Sequence, residues 1–258
     1  STPLDVNIEE LKESFVSLFK IEATDSIDDI KVYVQDYSNM PGYAELLVKP
    51  RTSRECAIIL RLCTKQKYNI TISAGKTNLT GSATPEGGVI LSIENLNEYE
   101  IDINDDEMKV SCSPNEYLES LREHVLTKTK NQLYYPVDPT SRVDAMISGT
   151  ISCNASGFIP GEKGATRFWV DGIDIILPSG DHIYVQRGMY ISNRGKFFIK
   201  TSNRVIEINI PRYNRPKIKN ASGPYSESDG DMDFIDLIIG SEGIFCLISR
   251  CELRLATK

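Results

Sequence analysis

The sequence is poor in the residues that hold metal ions. It has only two histidines, His124 and His182, and its six cysteines include no Cys-x-x-Cys pair. Because zinc in proteins is held by closely spaced cysteines or by several histidines, the sequence predicts no metal site. Cys56 and Cys63 lie on one face of a predicted helix, which favours packing in a core over metal binding.

The sequence also lacks a membrane-spanning run, a signal-peptide pattern and an excess of positive charge. No stretch reaches about eighteen consecutive apolar residues, the minimum for a transmembrane helix. Acidic residues outnumber basic ones by 36 to 29, and the net charge is -7, whereas proteins that bind nucleic acid usually carry a basic face. We therefore expect a cytoplasmic protein that has no transmembrane segment and binds no nucleic acid.

Two familiar nucleotide-binding motifs are missing. No Gly-x-Gly-x-x-Gly follows the first predicted strand, which argues against a Rossmann dinucleotide domain. Gly75, Lys76 and Thr77 look like the end of a P-loop, but Ile70 occupies the position where that motif needs a glycine. A strand, rather than the helix whose N-terminus would hold phosphate, is predicted to follow. The pattern therefore does not predict a nucleoside triphosphatase.

Hydrophobic periodicity and turn residues predict an alternation of helices and strands. Thr52 and Glu55 form a capping box at the start of one helix, and residues 178–181, Pro-Ser-Gly-Asp, form the turn of a hairpin. The patterns predict helices at 4–21, 52–66 and 115–128, strands at 43–49, 68–73, 88–93, 169–177, 182–186 and 244–255, short strands within 196–210, and either a helix or a strand at 234–239. Residues 134–167 show little periodicity.

Three stretches are rich in small, hydrogen-bonding residues. Residues 73–81, between two predicted strands, offer successive backbone N–H groups that suit an anion such as a diphosphate. Residues 136–157 contain few large side chains, which fits a backbone packed against a large flat ligand. Residues 239–248 carry Gly240 and Gly243 directly before a predicted strand. Each stretch alone is a weak signal.

In this order, and together with the strand–helix–strand opening and the predicted hairpin, the three stretches resemble the FAD-binding domain of the vanillyl-alcohol oxidase/para-cresol methylhydroxylase (PCMH) family. Within that family the resemblance is to the glycolate oxidase and D-lactate dehydrogenase branch, and it covers roughly residues 41–256. It implies an α+β, PCMH-type FAD-binding fold in which FAD lies between two α+β subdomains. We accordingly expect an N-terminal helical segment at 1–40, a first subdomain at 41–104 and a second at 105–258.

The resemblance also implies which residues bind the cofactor. Backbone amides of the first stretch would hold the diphosphate, the second stretch would line the flavin and its ribityl chain, and the third would complete the pocket. The candidate residues are Ile72, Ser73, Ala74, Gly75, Lys76, Thr77, Asn78, Leu79, Asp138, Pro139, Thr140, Ser141, Met146, Gly149, Ser152, Cys153, Asn154, Ala155, Gly157, Glu242, Gly243 and Ile248, with Ile175 (or Ile173) at the adenine.

The sequence departs from the family pattern at several positions. Lys76 stands where a small residue is usual, Ser148 replaces the first glycine of a Gly-Gly pair, and Phe245-Cys246 replaces Leu-Gly. Family members that attach FAD covalently often use a histidine in the first stretch, and this chain has none there. We therefore expect noncovalent FAD, with a cysteinyl link through Cys153 as the less favoured alternative.

The implied activity is oxidation of a small 2-hydroxy acid, of the glycolate or D-lactate type, by hydride transfer to flavin N5. Family oxidases carry a C-terminal cap domain that covers the flavin and supplies acid/base residues, and we expect that domain to be absent from this chain. A cap domain or an electron-accepting partner subunit is therefore implied, and the catalytic residues stay unassigned. Arg167, Trp169 and Asp171 are predicted to be structural.

Two alternatives remain open at the level of sequence. The chain could be a non-catalytic or degenerate FAD-domain subunit of a multi-subunit oxidase, which the altered glycine positions favour. It could also be a flavin-independent binding module that has kept the fold. Binding of FAD by the purified protein separates the last alternative from the others.

Overall fold

The computed structural model describes residues 7–34, 44–75, 78–80, 87–138, 145–153, 155, 162–210, 231–241 and 246–258. Within these ranges helices and strands are mixed, as predicted. The helices are α1 (Ile8–Glu13), which continues into a π-helix at Ser14–Leu18, α2 (Ile27–Val34), α3 (Ser53–Lys65), α4 (Leu118–Lys128), α5 (Ile147–Cys153), α6 (Thr166–Trp169) and α7 (Phe234–Ile238), with a 3-10 turn at Glu162–Gly164.

The strands form two five-stranded sheets and two short two-stranded pairs among the residues that the structure describes. The strands are β1 (Glu22–Thr24), β2 (Leu46–Lys49), β3 (Ile70–Gly75), β4 (Asn78–Thr80), β5 (Val89–Ser92), β6 (Asp102–Asn104), β7 (Lys109–Cys112), β8 (Leu133–Tyr134), β9 (Val170–Ile176), β10 (His182–Gln186), β11 (Lys196–Lys200), β12 (Val205–Asn209), β13 (Leu247–Arg254) and β14 (Ala256–Thr257).

The first sheet has the strand order β1-β2-β5-β3-β4. Its three central strands are parallel, and the edge strands β1 and β4 are antiparallel to their neighbours. The N-terminal segment was predicted as one helix over 4–21. Helical structure is present there from Ile8 to Leu18, and the strand β1, which was not predicted, follows it, with Ala23 opposite Val48. A strand of three residues is too short to leave a period-2 pattern in the sequence.

Helix α3 connects β2 to β3 and begins where the capping residues predicted. The Thr52 hydroxyl accepts a hydrogen bond from the Glu55 N–H at 3.1 Å, and the Glu55 carboxylate accepts from the Arg51 N–H at 3.0 Å. Cys56 and Cys63 are fully buried, so the predicted role of this face in the core is confirmed. The cap satisfies N–H groups that the first helical turn cannot pair internally.

The second sheet has the order β10-β9-β13-β7-β6, and all its strands are antiparallel. The predicted hairpin is present as β9 and β10, with Ile176 opposite His182. Its turn is closed by hydrogen bonds between Leu177 and Asp181 and between Gly180 and Leu177, at 2.9 and 2.8 Å. Gly180 has a φ of +85°, a conformation that favours glycine.

The two sheets share part of one hydrophobic core. Helices α4, α5 and α7 pack with one face of the second sheet. Met146, Ile176 and Leu247, from the second half of the chain, are instead buried with the core of the first sheet, near Ile59 of α3. The two sheets are therefore joined by apolar packing as well as by the chain. The predicted subdomain border at 104/105 lies just after β6, although β6 pairs with β7 within the second sheet. The division into subdomains stays a prediction.

Gly88 provides a test of this arrangement, because it directly precedes β5, the central strand of the first sheet. Its φ is +75°, and a Cβ atom there would overlap the backbone carbonyl of Asn69, which accepts the Val89 N–H at 2.8 Å. We expect Gly88→Ala to lower the free energy of unfolding by roughly 3 kcal/mol or more, since left-handed strain and overpacking add. Chemical denaturation measures this loss.

Gly195→Ala is the matched control for Gly88→Ala. Gly195 has a similar φ of +78°, but nothing lies within 4 Å of a Cβ atom placed there. Only the left-handed backbone strain should act in this variant, and it should lower the free energy of unfolding by on the order of 1–2 kcal/mol. Equal losses in the two variants would contradict the close packing of Gly88 on Asn69.

Candidate cofactor site

Residues from the second and third small-residue stretches line a single narrow cleft, together with Ile72, which directly precedes the first stretch. Ile72 comes from β3, Ser148 and Ser152 from α5, and Ile248 from β13. Ile93, Cys246 and Leu247 complete its described lining. These residues are far apart in sequence, so the convergence is a property of the fold rather than of one local loop.

The first stretch forms a hairpin of β3 and β4. Ile72 lies opposite Thr80, Ser73 opposite Leu79, and Gly75 opposite Asn78. The Ser73 carbonyl accepts a hydrogen bond from the Ile93 N–H at 3.0 Å, which joins the hairpin to the end of β5. A strand rather than a helix follows Gly75, so this is not the strand–loop–helix of a P-loop.

The second stretch contains helix α5, which the sequence analysis did not predict. Ile147 and Ile151 are fully buried, one helical turn apart, and anchor the helix in the core. The N–H groups of Ile147 and Ser148 donate to the carbonyls of Glu116 and Pro114 at 2.9 and 3.0 Å. With only two large apolar side chains in seven residues, the helix leaves almost no hydrophobic period in the sequence.

Ser148 and Ser152 lie one turn apart on α5 and both reach the cleft. The Ser148 side chain is buried, with the residue 5% exposed, and its hydroxyl oxygen has no hydrogen-bond partner among the residues that the structure describes. An unpaired buried hydroxyl costs on the order of 1–3 kcal/mol, so such a group fits a site completed by a polar ligand. Ser148 was not among the predicted contacts, although its replacement of a family glycine was a visible signal.

The third stretch is positioned by α7 and two arginines. Asp236 of α7 is 5% exposed, and its carboxylate accepts hydrogen bonds from Arg167 at 2.8 Å and from Arg187 at 3.2 Å. Arg167 also donates to the Ile239 carbonyl at 3.0 Å. The Gly240 N–H then donates to the Ile151 carbonyl at 3.0 Å. These bonds tie the start of the third stretch to α5.

The remaining two residues predicted to be structural also have protein partners. The Trp169 indole N–H donates to the Lys163 carbonyl at 2.8 Å. Asp171 of β9 forms an ion pair with Lys109 of β7 at 2.9 Å, across the intervening strand β13 of the second sheet. These contacts, like those of Arg167, hold secondary-structure elements together and lie outside the lining of the cleft.

The other predicted contacts are distributed differently. Asp138 forms an ion pair with Arg122 at 3.2 Å, and Met146 lies in the shared core. Cys153 is exposed at the end of α5. Ile175 is fully buried, opposite Ile183 and Ile248 on the neighbouring strands. Ile173 is also buried in that core. Ala74, Gly75, Asn78 and Leu79 lie in the first hairpin, Gly149 within α5, and Ala155 after it, bonded to Thr150.

Several predicted contacts lie outside the described residues: Lys76, Thr77, Pro139, Thr140, Ser141, Asn154, Gly157, Glu242 and Gly243. Of the predicted set, the structure brings Ile72, Ser152 and Ile248 together in the cleft. The role of each of these residues in cofactor binding stays a prediction.

The described walls of the cleft are apolar or neutral. Cys246 is the most reactive side-chain type among them, and burial raises the pKa of its thiol to about 12, so it stays protonated at neutral pH. His182 is exposed on β10, and His124 lies on α4. The described lining of the cleft therefore offers two hydroxyl groups but contains no general base.

Comparison with known proteins identifies the class to which this site belongs. Residues 44–186 match the family model of the FAD binding domain. The chain belongs to this family of FAD-binding domains, as the sequence motifs predicted. The match spans β2 through β10 and includes the first two small-residue stretches.

Curated relatives include oxidoreductases of 2-hydroxy acids. The chain is 28% identical to the glycolate oxidase subunit GlcD of Bacillus subtilis (strain 168), over 64% of this chain and 36% of that protein. It is 27% identical to a D-2-hydroxyglutarate dehydrogenase of Stutzerimonas stutzeri (strain A1501), over 88% and 41% respectively. It is 29% identical to a D-lactate dehydrogenase of Anaerostipes hadrus, over 81% and 36%. The chain thus spans less than half of each relative.

Solved structures share the fold. A chitooligosaccharide oxidase superposes with a TM-score of 0.65 at 12% identity, covering 95% of this chain and 43% of that one. The predicted α+β FAD-binding fold and the resemblance to the glycolate oxidase and D-lactate dehydrogenase branch are confirmed. In the part of the chain that the structure describes, no helix is long and apolar enough to cross a membrane.

Replacing Asp236 tests whether its ion pairs with Arg167 and Arg187 hold α7 in place. We expect Asp236→Asn to lower the free energy of unfolding by about 3 kcal/mol, because it leaves two partly buried arginines without their carboxylate. Denaturant titration provides the measurement. Asp28→Asn, which removes an exposed pair with Lys31, should cost less than about 0.5 kcal/mol. Similar losses in the two variants would argue against a structural role of the Asp236 pairs.

Proposed function

We propose that this chain is the FAD-binding part of a flavin-dependent oxidoreductase that oxidises a small 2-hydroxy acid, such as glycolate, D-lactate or D-2-hydroxyglutarate. The observation that carries the proposal is that the second and third small-residue stretches meet at one cleft beside β3, the strand that enters the first stretch. Membership in the FAD-binding family supports the cofactor, and the relatives support the substrate class.

In this proposal each stretch has its own task. Backbone amides from Ile72 to Asn78 hold the diphosphate, and residues 139–145 together with Ser152–Ala155 line the flavin and ribityl chain. Gly149 and Gly157 allow close approach, and residues 242–248 close the pocket. The FAD would lie between two subdomains, at 41–104 and 105–258. When bound, the flavin supplies the two-electron redox chemistry, and the protein supplies binding and orientation.

The substrate-binding and acid/base groups are proposed to come from outside the described cleft, since its lining holds neither a charged side chain nor a histidine. A cap domain or an electron-accepting partner subunit would provide them. One relative, GlcD, is itself named as a subunit of glycolate oxidase. The catalytic residues of the whole protein remain unassigned in this proposal.

We further propose that FAD is held without a covalent bond. The described lining of the cleft contains no histidine, and its buried thiol, Cys246, stays protonated at neutral pH. A cytoplasmic location is proposed as well. Supporting it, all six cysteines are free thiols, which is usual in reducing compartments.

Absorption spectroscopy tests the cofactor proposal. We expect the purified protein, after incubation with FAD and desalting, to show flavin absorption bands in the visible range. Acid precipitation should release all of the flavin into the supernatant, because no covalent bond retains it. Protein that is folded but colourless after this treatment would refute the proposed function. Flavin that remains in the acid pellet would instead refute only its noncovalent mode of binding.

The same loaded sample separates the oxidoreductase from a second candidate, a non-catalytic FAD-domain subunit. That candidate is favoured by the serine that stands at position 148 in place of a family glycine. Anaerobic addition of glycolate, D-lactate or D-2-hydroxyglutarate, with and without the remainder of the enzyme, shows whether the bound flavin is reduced. Loss of the flavin band with one of these acids supports the oxidoreductase, and an unchanged band in every mixture supports the second candidate.

Gly75→Val tests the assignment of the first stretch. A valine side chain in the β3–β4 hairpin would keep the diphosphate from close contact with the backbone, so we expect FAD affinity to fall at least about tenfold. Fluorescence titration with FAD provides the measurement. Ala23→Val adds bulk at the opposite edge of the same sheet and should leave the affinity unchanged. If Gly75→Val binds FAD as tightly as the wild type, the assignment of this stretch is wrong.

A further inference from the structure

The hairpin of β11 and β12 lies in a stretch of the chain that carries a local excess of positive charge. Residues 188–219 contain eight lysines and arginines but a single acidic residue, Glu207, whereas the whole chain has a net charge of -7. This stretch follows the residues that the family model matches, and the structure describes it up to residue 210. Positive charge gathered on one part of an acidic protein directs the attraction for anionic partners to that part of the surface.

The two faces of this hairpin differ in burial. Phe197 and Ile199 of β11 are fully buried, and the Phe197 ring meets Phe234 of α7 edge to face, with 5.2 Å between the ring centroids. Because successive side chains of a strand point to opposite faces, Phe198 points away from this core, and 58% of it is exposed. Val205 of β12, 64% exposed, lies on the same outer face. The inner face thus fixes the hairpin, and the outer face presents apolar side chains to solvent.

Lysines accompany the two exposed apolar side chains on the outer face. Lys200 lies directly opposite Val205, and Lys196 is two residues before Phe198 on the same strand. Lys196 forms an exposed ion pair with Glu207 at 2.7 Å. Lys200 has no acidic partner within the described part of the chain, so its charge is available to an external ligand.

The size and composition of the outer face favour a lipid surface over a protein partner. Two strands of five residues cover only about 17 by 10 Å, from the rise per residue and the spacing of strands. A stable protein interface needs roughly 800 Å² on each partner. A bilayer accepts a smaller contact, because single apolar side chains enter its interface while lysines extend to the anionic headgroups.

We propose that the outer face of the β11–β12 hairpin binds an anionic lipid membrane. Phe198 and Val205 enter the headgroup region, and Lys200 binds lipid phosphates. The same surface repels the rest of the chain, which is acidic, so the contact is made in one orientation. The proposal does not depend on the cofactor, because none of these residues belongs to the described lining of the cleft.

Sedimentation with lipid vesicles tests this proposal. The purified protein is mixed with vesicles of phosphatidylcholine alone, and with vesicles in which roughly a third of the lipid is the anionic phosphatidylglycerol. We expect it to bind the anionic vesicles only. Raising sodium chloride from about 0.1 M to about 1 M should release it, because salt screens the attraction. Equal binding to both kinds of vesicle, or binding to neither, would show that the proposal is wrong.

Two variants separate the apolar contribution from the charged one. Phe198→Ser and Lys200→Glu should each lower the partition coefficient for anionic vesicles at least about tenfold, since one removes an inserted apolar side chain and the other reverses a charge at the membrane surface. Ile27→Ser and Lys31→Glu are the matched controls. They remove an exposed apolar side chain and reverse an exposed lysine on α2, and should bind as the wild type does.

Two further outcomes would overturn the proposal. One is a partition coefficient within about twofold of the wild type for both hairpin variants. The other is retention of the protein on immobilised polyglutamate without binding to anionic vesicles, which would point to an acidic protein as the partner. Neither readout involves FAD, so failure here leaves the proposed function untouched.

Discussion

The carboxylate of Asp236, held between Arg167 and Arg187, is the interaction on which the arrangement of the site depends. It joins three elements that are distant in the chain, namely α6, the end of β10 and α7. Arg167 extends the connection to Ile239, and the next residue is bonded to α5. A buried ion pair of this kind adds little net stability over an apolar substitute, but its geometry specifies how the elements meet. The third stretch reaches the cleft because α7 is held in this way.

Regular elements could be predicted from the sequence wherever periodicity and turn chemistry were strong. The hairpin of β9 and β10 follows from alternating apolar residues around a Pro-Ser-Gly-Asp turn, and α3 from its capping residues and its apolar face. Elements that are short or built from small residues could not be predicted. β1 has three residues, and the two buried isoleucines of α5 are too few to produce a helical pattern.

The candidate site was predictable as a set of segments rather than as a set of side chains. Ile72, Ser152 and Ile248 do reach the cleft, since they lie within or directly beside runs of small residues, and such runs are visible in a sequence. Ile175 is fully buried between neighbouring strands, a position that depends on strand order and therefore on tertiary packing. The unpaired state of the Ser148 hydroxyl likewise depends on what surrounds it in space, and sequence alone does not carry that information.

The burial of Met146, Ile176 and Leu247 in the core of the first sheet has a consequence for how the molecule folds. Each half has its own sheet, yet either half made alone would expose this apolar surface to water, at a cost of about 25 cal/mol for each Å². The two sheets therefore depend on each other for the burial of this surface. A ligand that binds in the cleft, whose lining comes from both halves of the chain, would accordingly stabilise both sheets together.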